Sequence, residues 1–349
     1  MKPRPPISRR NFIKLTATAA AAAALASCTS QDSPSTQGAT SPIKPTQPST
    51  PTAWKTPTEP QTSEPSTPEP APTSEPAPTT APAYLAVVHG PDPSVITRAA
   101  IDALGGMSSF VKAGYDVIVK PNICTDYHPP EYASTTNPIV VATLVTMCLE
   151  AGAGRVRVMD LPFGGTVESA YEISGIKQAV EAVGGEMHVM SRPKYILVDI
   201  PQGKNISSVE IYPDVLEADL LINVPIAKTH GTTILTLGAK NLMGVILDRN
   251  QMHVNLSQRI ADLASLVQPE LTVIDAVRIL TAHGPTGGDL ADVKQTDTII
   301  ASRDIVAADA YATTLFGLTG ADIGYIKASA ELGLGTLDLG SINIREITL

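Results

Sequence analysis

The feature that most constrains the fold is an alternation of short apolar runs with helical segments along residues 84–349. Predicted strands lie at residues 84–88, 117–119, 155–159, 219–224, 271–275 and 298–301, with an edge strand at 342–347. Predicted helices lie at residues 94–104, 138–150, 235–246, 256–267, 304–318 and within 323–331. This alternation is typical of parallel sheets, because two parallel strands need a long crossover between them. It predicts an α/β fold with a doubly wound, mainly parallel sheet and helices on both faces.

The middle of this region departs from the alternation. Short runs at residues 186–190, 195–200 and 209–212 read as strands with no helix between them. We therefore expect a small β-rich insertion. Aromatic residues make up 4 % of the chain, which favours a core built from aliphatic layers.

The first 28 residues have the pattern of an export signal. Arg9 and Arg10 stand in the run SRRNFIK, a nearly complete twin-arginine motif, and a mild apolar run of about half a membrane-spanning length follows. That run ends in Leu-Ala-Ser-Cys, which resembles a bacterial lipobox. The pattern predicts lipidation of Cys28 and a lipoprotein anchored to the outer face of the cytoplasmic membrane. The alternative is an ordinary signal peptide with an incidental cysteine.

Residues 29–83 are dominated by Pro, Thr, Ser and Glu. Such a composition cannot bury a core, so the segment is expected to be a disordered linker. At about 3.1 Å per residue for Pro-rich chain, it could hold a following domain up to ~170 Å from the bilayer. The predicted organisation is therefore a signal peptide at 1–28, a linker at 29–83 and one α/β domain at 84–349.

The α/β domain is acidic. Residues 84–349 hold 18 Lys and Arg against 29 Asp and Glu, a net charge of −11. Nucleic-acid binding is disfavoured, because it rewards clustered basic residues. In this background Lys120, Lys228 and Lys240 are informative, since together they could form a local positive pocket for an anion.

Polar side chains follow several predicted strands at the point where each strand ends. Because the carboxyl ends of parallel strands lie along one edge of a sheet, these groups are expected to converge. The predicted ligand-binding residues are Lys120, Asn122, Asn223, Lys228, Lys240 and Asn241. His230 is expected to transfer a proton or ligate, and Asp275 to orient one of these groups. Ordinary loop and helix-end residues remain the alternative interpretation.

A metal site is a second interpretation of the same region. His230, His253 and His283 with Asp275 offer ligand types that suit a transition metal, but they lack a tight spacing such as HExxH. Two glycine-rich loops, at residues 160–166 and 283–288, are either structural turns or ligand contacts.

Two cysteines lie within the predicted domain. Cys124 and Cys148 could pair in an oxidising compartment or remain as buried thiols, and the sequence leaves both open. A cysteine-rich iron–sulfur motif is not present in the sequence.

Several runs, taken in order, resemble the bacterial and archaeal family called domain of unknown function 362. They are Lys120-Pro121-Asn122 and residues 135–138, 223–230, 239–244, 273–276 and 284–288, followed by the helix with Asp304 and Asp309. The resemblance covers about residues 84–340 and implies a fold and a site, but no agreed reaction. Many relatives continue into a ferredoxin-like module that this chain lacks. Where relatives often read Lys-x-Lys-Thr-His, this chain has Ile226 at the first lysine, so one positive charge is missing.

A more distant likeness, of fold alone, is to the N-terminal domain of lactate racemase, where Lys and His hold a nickel-bearing nucleotide cofactor. Together these features predict an exported, membrane-tethered lipoprotein. Its domain is expected to bind a small anionic ligand or a phosphate-bearing cofactor, whether or not it is an enzyme. The alternative is a non-enzymatic module for solute binding or cell-envelope interaction.

Overall fold

The computed structural model describes residues 82–349. The predicted signal peptide, Cys28 and the linker as far as residue 81 lie outside the described residues. The strands in this part of the chain are β1 (Leu85–His89), β2 (Asp116–Pro121), β3 (Arg155–Val158), β4 (Glu186–Met187), β5 (Ile196–Asp199), β6 (Ser208–Ile211), β7 (Leu220–Val224), β8 (Ile226–His230), β9 (Ile234–Thr236), β10 (Leu271–Leu280), β11 (Val293–Ser302) and β12 (Ile344–Thr348).

The α-helices of the described chain are α1 (Pro93–Ala103), α2 (Pro138–Glu150), α3 (Val167–Ile173), α4 (Ile176–Ala182), α5 (Asp214–Glu217), α6 (Gly238–Asn241), α7 (Leu256–Val267), α8 (Ile305–Thr313) and α9 (Gly324–Glu331). Helix α2 begins as predicted, because the Asn137 side chain accepts from the N–H of Ile139 and Pro138 stands at the first turn. Asp92 and Asp304 cap α1 and α8 in the same way.

Ten strands form one mixed sheet in the order β12-β1-β11-β10-β7-β2-β3-β4, with β8 and β9 attached beside β10. The neighbours in this order pair in parallel, apart from β11, which runs antiparallel to both β1 and β10. The α/β fold with a mainly parallel sheet is therefore confirmed. From β2 the chain moves outward to β3 and β4, then returns to β7 on the other side of β2. The order reverses between β2 and β7.

The sheet has a hydrophobic layer on each face. Alternate residues of the central strands face opposite sides, so Val117 and Val119 join one buried cluster while Ile118 joins the other. Side chains of α1, α2 and α4 complete the first cluster, and those of α7, α8 and α9 complete the second. Helices therefore cover both faces, as predicted.

The predicted insertion is smaller than its three sequence runs indicate. Strands β5 and β6 pair with each other in a separate two-stranded antiparallel sheet, while β4 extends the edge of the main sheet. Strand β12 occupies the opposite edge, where an edge strand was expected.

The predicted helix at residues 235–246 is confirmed only in part, because it is neither continuous nor α-helical throughout. Strand β9, the single turn of α6 and a 3₁₀ turn at Leu242–Val245 take its place. The apolar side chains of this segment are buried whichever way they point. Their spacing along the sequence therefore does not distinguish a continuous helix from other backbone structures.

Strands β10 and β11 are each about twice as long as predicted. Their outer halves form a hairpin, and polar residues such as Lys294 and Gln295 concealed that part of β11.

None of the helices in residues 82–349 is both long and apolar enough to cross a membrane.

Candidate functional site

A cavity of about 410 Å³ opens at the carboxyl ends of β2, β3 and β7. Its walls come from the segments that directly follow β2 and β3, from β8, which follows β7, and from α6. This is the point at which the strand order reverses, where doubly wound sheets bind ligands. The lining residues are Asn122, Ile123, Cys124, Leu161, Phe163, Lys228, His230, Thr236, Lys240, Asn241, Met243, Gly244, Arg249, Asn250, His253 and Pro285.

The cavity is basic although the domain is acidic. Lys228, Lys240 and Arg249 line it, and no Asp or Glu is among the lining residues in the described chain. Each of the three is largely buried, and burial lowers the pKa of each. Three neighbouring cations without a lining carboxylate give this cavity a positive local charge in the described chain.

Lys228 is held by neutral oxygens. Its ammonium donates to the Asn122 Oδ1 at 2.9 Å, the Ser134 carbonyl at 2.6 Å and the Pro285 carbonyl at 2.9 Å. Three donors therefore meet three acceptors, which fixes the position of the charge without neutralising it. The same Pro285 carbonyl accepts from the Cys124 thiol at 3.4 Å.

Lys240 is different, because its ammonium contacts no oxygen acceptor among the described residues. Its recorded partner is the Met243 Sδ at 3.8 Å, and sulfur is a weak acceptor. Burial, followed by the charges of Lys228 and Arg249, lowers the pKa of Lys240 to about 8. This ammonium is available to an oxygen of a ligand.

Thr236 and Arg249 also present hydrogen-bonding capacity to the cavity. The Thr236 hydroxyl is buried and has no hydrogen-bond partner within residues 82–349. Arg249 donates to the carbonyls of Met243 (2.9 Å) and Leu161, which leaves other N–H groups of its guanidinium for a ligand. A buried hydroxyl without a partner is costly to the folded protein.

His230 is a neutral hydrogen-bond donor in this geometry. Its Nδ1 accepts from the backbone N–H of Thr232 at 3.0 Å and of Thr233 at 3.4 Å, so the proton belongs on Nε2. Burial, then the charges of Lys240 and Lys228, lowers its pKa to about 4. Metal ligation through Nε2 would require the proton on Nδ1, against two N–H donors.

Lys120 lies beneath the cavity and is not a lining residue. Its ammonium pairs with the Asp160 Oδ1 at 2.7 Å and donates to the Pro121 carbonyl and the Asn241 Oδ1. Burial lowers the pKa of Lys120 and raises that of Asp160, while each partner's charge opposes the effect on the other. The expected role of Lys120 as a ligand-binding charge is corrected to a buried ion pair.

The predicted asparagines form a chain of hydrogen bonds. Asn122 donates to Asn241, Asn241 donates to Asn223, and Asn223 donates to the Gly238 carbonyl, each at 2.9–3.0 Å. Asn122 and Asn241 line the cavity, whereas Asn223 lies behind them. The structure therefore brings the predicted residues together, partly as a supporting network.

Asp275 also lies outside the lining. Its buried carboxylate accepts from the N–H of Asn137 at 2.7 Å and of Val277 at 3.0 Å, and burial raises its pKa to about 6. It therefore orients the start of α2, and the expected role toward a group of the site is corrected.

The residues of the metal interpretation do not meet. His230 and His253 line the cavity, but His283 is exposed and pairs with Asp292. Within residues 82–349 no cluster of three or more His, Cys, Asp or Glu is arranged to hold a metal ion.

The two glycine-rich loops differ in role. Gly164 and Gly165 pack against Tyr127 and Asp126, as in a structural turn, whereas the loop at 283–288 places the Pro285 carbonyl in the cavity. Cys124 and Cys148 are both free, buried thiols in the described chain.

Sequence reasoning missed Arg249 and Thr236, and it considered His253 only as a candidate metal ligand. Arg249 and His253 follow the 3₁₀ turn at Leu242–Val245, which was predicted as part of a longer helix. The direction in which their side chains point could therefore not be inferred from the sequence. The available signal for Arg249 was a basic residue close after the apolar run 242–247 in an acidic domain.

Comparison with known proteins supports the resemblance. The family model described as Domain of unknown function (DUF362) matches residues 117–314, more than half of the chain. The chain belongs to this family. The DUF362 region contains the cavity residues from Asn122 to Pro285, and a twin-arginine translocation signal sequence matches residues 6–26, where Arg9 and Arg10 were predicted to act.

The individual proteins that the chain resembles share less than 30 % sequence identity with it. A thylakoid-associated protein of Synechocystis sp. is 27 % identical over 246 residues, which cover 68 % of this chain and 74 % of that protein. The lactate racemase apoprotein of Thermoanaerobacterium thermosaccharolyticum shares 14 % identity with a TM-score of 0.40, and a Thermotoga maritima protein shares 13 % with 0.38. The matches cover 63 % and 66 % of this chain, and 54 % and 60 % of those two chains.

Proposed function

We propose that this DUF362 protein is an exported lipoprotein whose domain binds a small anionic molecule in the basic cavity. The proposal rests on the charge and the hydrogen-bonding state of the residues that line the cavity. Three buried cations meet no lining carboxylate in the described chain, and both the Lys240 ammonium and the Thr236 hydroxyl lack an oxygen partner there. A ligand with several anionic oxygens would bind the lining cations and supply the oxygen acceptor that the Lys240 ammonium lacks.

The size of the cavity supports a small ligand. A volume of about 410 Å³ lies in the lower part of the range of small-molecule sites. Ile123, Leu161 and Phe163 give one wall an apolar character, which suits a ligand whose charge is confined to one end. A phosphate-bearing or carboxylate-bearing metabolite or cofactor fits this description.

His230 acts in this proposal as a neutral donor to the ligand. Its proton lies on Nε2 and its pKa is about 4, so it donates a hydrogen bond without adding charge at neutral pH. Among residues 82–349, no Asp or Glu lines the cavity as a base. These features support ligand binding, as in a solute-binding module, at least as well as they support proton-transfer catalysis.

The location of the protein is the second part of the proposal. The twin-arginine signal indicates export, and the sequence Leu-Ala-Ser-Cys that ends it supports lipidation of Cys28. A lipid anchor followed by residues 29–83 would leave the cavity on the outer side of the cytoplasmic membrane.

Binding of inorganic phosphate at low ionic strength, measured by calorimetry and thermal unfolding, tests the anion site. The key variants are Lys240→Met and Thr236→Val, each of similar shape to the native residue. Both remove an unpartnered polar group, so both should raise the stability of the ligand-free protein, by about 1 kcal/mol for Thr236→Val. Lys240→Met should also weaken phosphate binding, by at least about tenfold.

Lys112→Met is the matched control, because Lys112 is exposed and lies outside the cavity. It should leave phosphate affinity unchanged. Failure of phosphate and of simple carboxylates to bind the unaltered protein would refute the anion site. Equal affinity in Lys240→Met and the unaltered protein would remove Lys240 from it.

A further inference from the structure

The two cavity lysines have different hydrogen-bonding states. Lys228 uses its three N–H donors on three oxygens, whereas Lys240 has one weak sulfur contact within the described chain. To attack a carbonyl carbon, a lysine must present a lone pair, and Lys228 cannot do so without leaving its acceptors. Lys240 is free to do so.

The surroundings of Lys240 favour the neutral amine. The side chain is largely buried on α6, and Lys228 and Arg249 both act on it as like charges. A desolvated lysine beside other cations is the arrangement that activates lysine as a nucleophile toward carbonyl compounds. With a pKa of about 8 in place of 10.5, the amine fraction at pH 7 is roughly 300-fold larger than for an ordinary lysine.

We propose that Lys240 condenses reversibly with a carbonyl compound that carries an anionic group, forming an imine inside the cavity. The inference rests on the proposed anion site, because Arg249 would bind the carboxylate or phosphate of the same molecule. The ligand class is thus narrowed to small 2-oxo acids, aldehyde acids and phosphorylated aldehydes. The apolar wall and the exposed Phe163 would accommodate the remainder of the molecule.

The step balances without an added oxidant or reductant. The Lys240 Nζ lone pair forms a bond to the carbonyl carbon while the C=O π pair moves to oxygen. The oxygen takes up protons that the nitrogen releases, and the C–O bond then breaks with loss of one water. The product is a C=N bond, and added water reverses the reaction.

Glyoxylate with cyanoborohydride tests the proposal, since hydride reduces an imine to a stable secondary amine. The full-length protein is treated at pH 7, and peptide mapping by mass spectrometry locates the adduct. We expect one reduced adduct, at Lys240, formed at least tenfold faster than at exposed Lys112. Propanal, which has no anionic group, should react with Lys240 at least tenfold more slowly than glyoxylate.

Lys240→Arg keeps the charge and removes the nucleophile, so its adduct should be lost, while Lys112→Arg should behave as the unaltered protein. If Lys240→Arg does not fold, the mapped position in the unaltered protein decides. Phosphate binding without preferential labelling of Lys240 would overturn the imine and leave the anion site intact. Labelling at Lys240 without phosphate binding would support the imine and refute a general anion site. If phosphate does not bind and Lys240 is not labelled preferentially, the anion site and the imine are both refuted.

Discussion

At the scale of single residues, Gly244 shows how closely the supporting layer is packed. Its backbone lies against the buried Lys120–Asp160 pair, and a Cβ at this position would stand 1.8 Å from the Asp160 Oδ1 and 2.7 Å from the Lys120 Nζ. A Cβ does not approach non-bonded heavy atoms so closely. Only glycine therefore allows α6 and its 3₁₀ extension to rest on the ion pair.

Gly244→Ala should separate the ion pair and destabilise the protein by about 3 kcal/mol or more, because a buried charge would lose its partner. Urea denaturation followed by circular dichroism measures the change. Gly231→Ala is the control, since a Cβ there would meet nothing within 4 Å, and it should cost no more than about 0.5 kcal/mol. Similar values for the two variants would contradict this account of the packing.

The residue scale also shows what sequence could and could not predict. Lys228, Lys240, Asn122 and His230 were identifiable because polar residues stood at the ends of apolar runs. The sequence could not show that Lys120 lies beneath the cavity whereas Lys228 and Lys240 line it. This difference depends on whether a buried carboxylate lies within hydrogen-bonding distance, and Asp160 is 40 residues away in the chain.

At the scale of elements, the position of α6 depends on a neighbouring helix. The Asp309 carboxylate on α8 accepts from the N–H of Gly238 at 2.6 Å and of Ala239 at 2.9 Å, at the start of α6. Helix α6 carries Lys240 and Asn241 into the cavity. Asp309 is therefore a positioning residue for the site, although it does not touch the cavity.

Asp309 should make stability depend on pH. Burial raises its pKa from 3.8 to about 7, and the charge of Asp304 acts in the same direction. Because the folded-state pKa is raised, the contribution of Asp309 to stability is full below about pH 4 and is lost as pH rises through 7. The unaltered protein should therefore lose on the order of 2–4 kcal/mol between pH 4.5 and 8, relative to Asp309→Asn.

Urea denaturation of both proteins at several pH values measures this difference and cancels the contributions of other groups. Asp102→Asn, an exposed change on α1, should shift the profile by no more than about 0.5 kcal/mol. A pH-independent difference between the unaltered protein and Asp309→Asn would contradict the assigned role.

Element prediction from the sequence was strongest where a side-chain cap was readable, as at α2, or where the apolar pattern was one-sided, as at α7. It was only partly right at residues 235–246, where burial on all sides removed the pattern and a tertiary contact from Asp309 set the backbone. The fold class did not depend on that segment, because the parallel core comes from β2, β3, β7 and β10.

At the scale of the whole molecule, charge and location act together. A domain of net charge −11 carries a cavity that Lys228, Lys240 and Arg249 line, so the proposed site would attract anions to a protein that is acidic as a whole. The same acidity would oppose close contact with an anionic membrane surface. The linker predicted at residues 29–83 would keep the cavity clear of such a surface.

Cys28→Ser should move the protein from the membrane fraction to the supernatant, because the proposed lipid anchor would be attached through that thiol. Membrane fractionation of the native host, with immunodetection, measures the shift. Ser30→Ala leaves the lipidated position intact and should remain with the membrane. If Cys28→Ser still sediments with the membrane, a lipid at that residue is not what holds the protein there.

Lys228 gathers oxygens from Asn122, Ser134 and Pro285, three places spread over nearly half of the chain. No continuous fragment shorter than that span contains the complete floor of the cavity. If the polypeptide is divided anywhere between residues 134 and 228, neither piece holds all four of these residues, and we expect neither to bind the proposed ligand alone. Ligand binding by a mixture of the two pieces would then show that they had reassembled. The protein could therefore serve as a sensor made of two separate fragments.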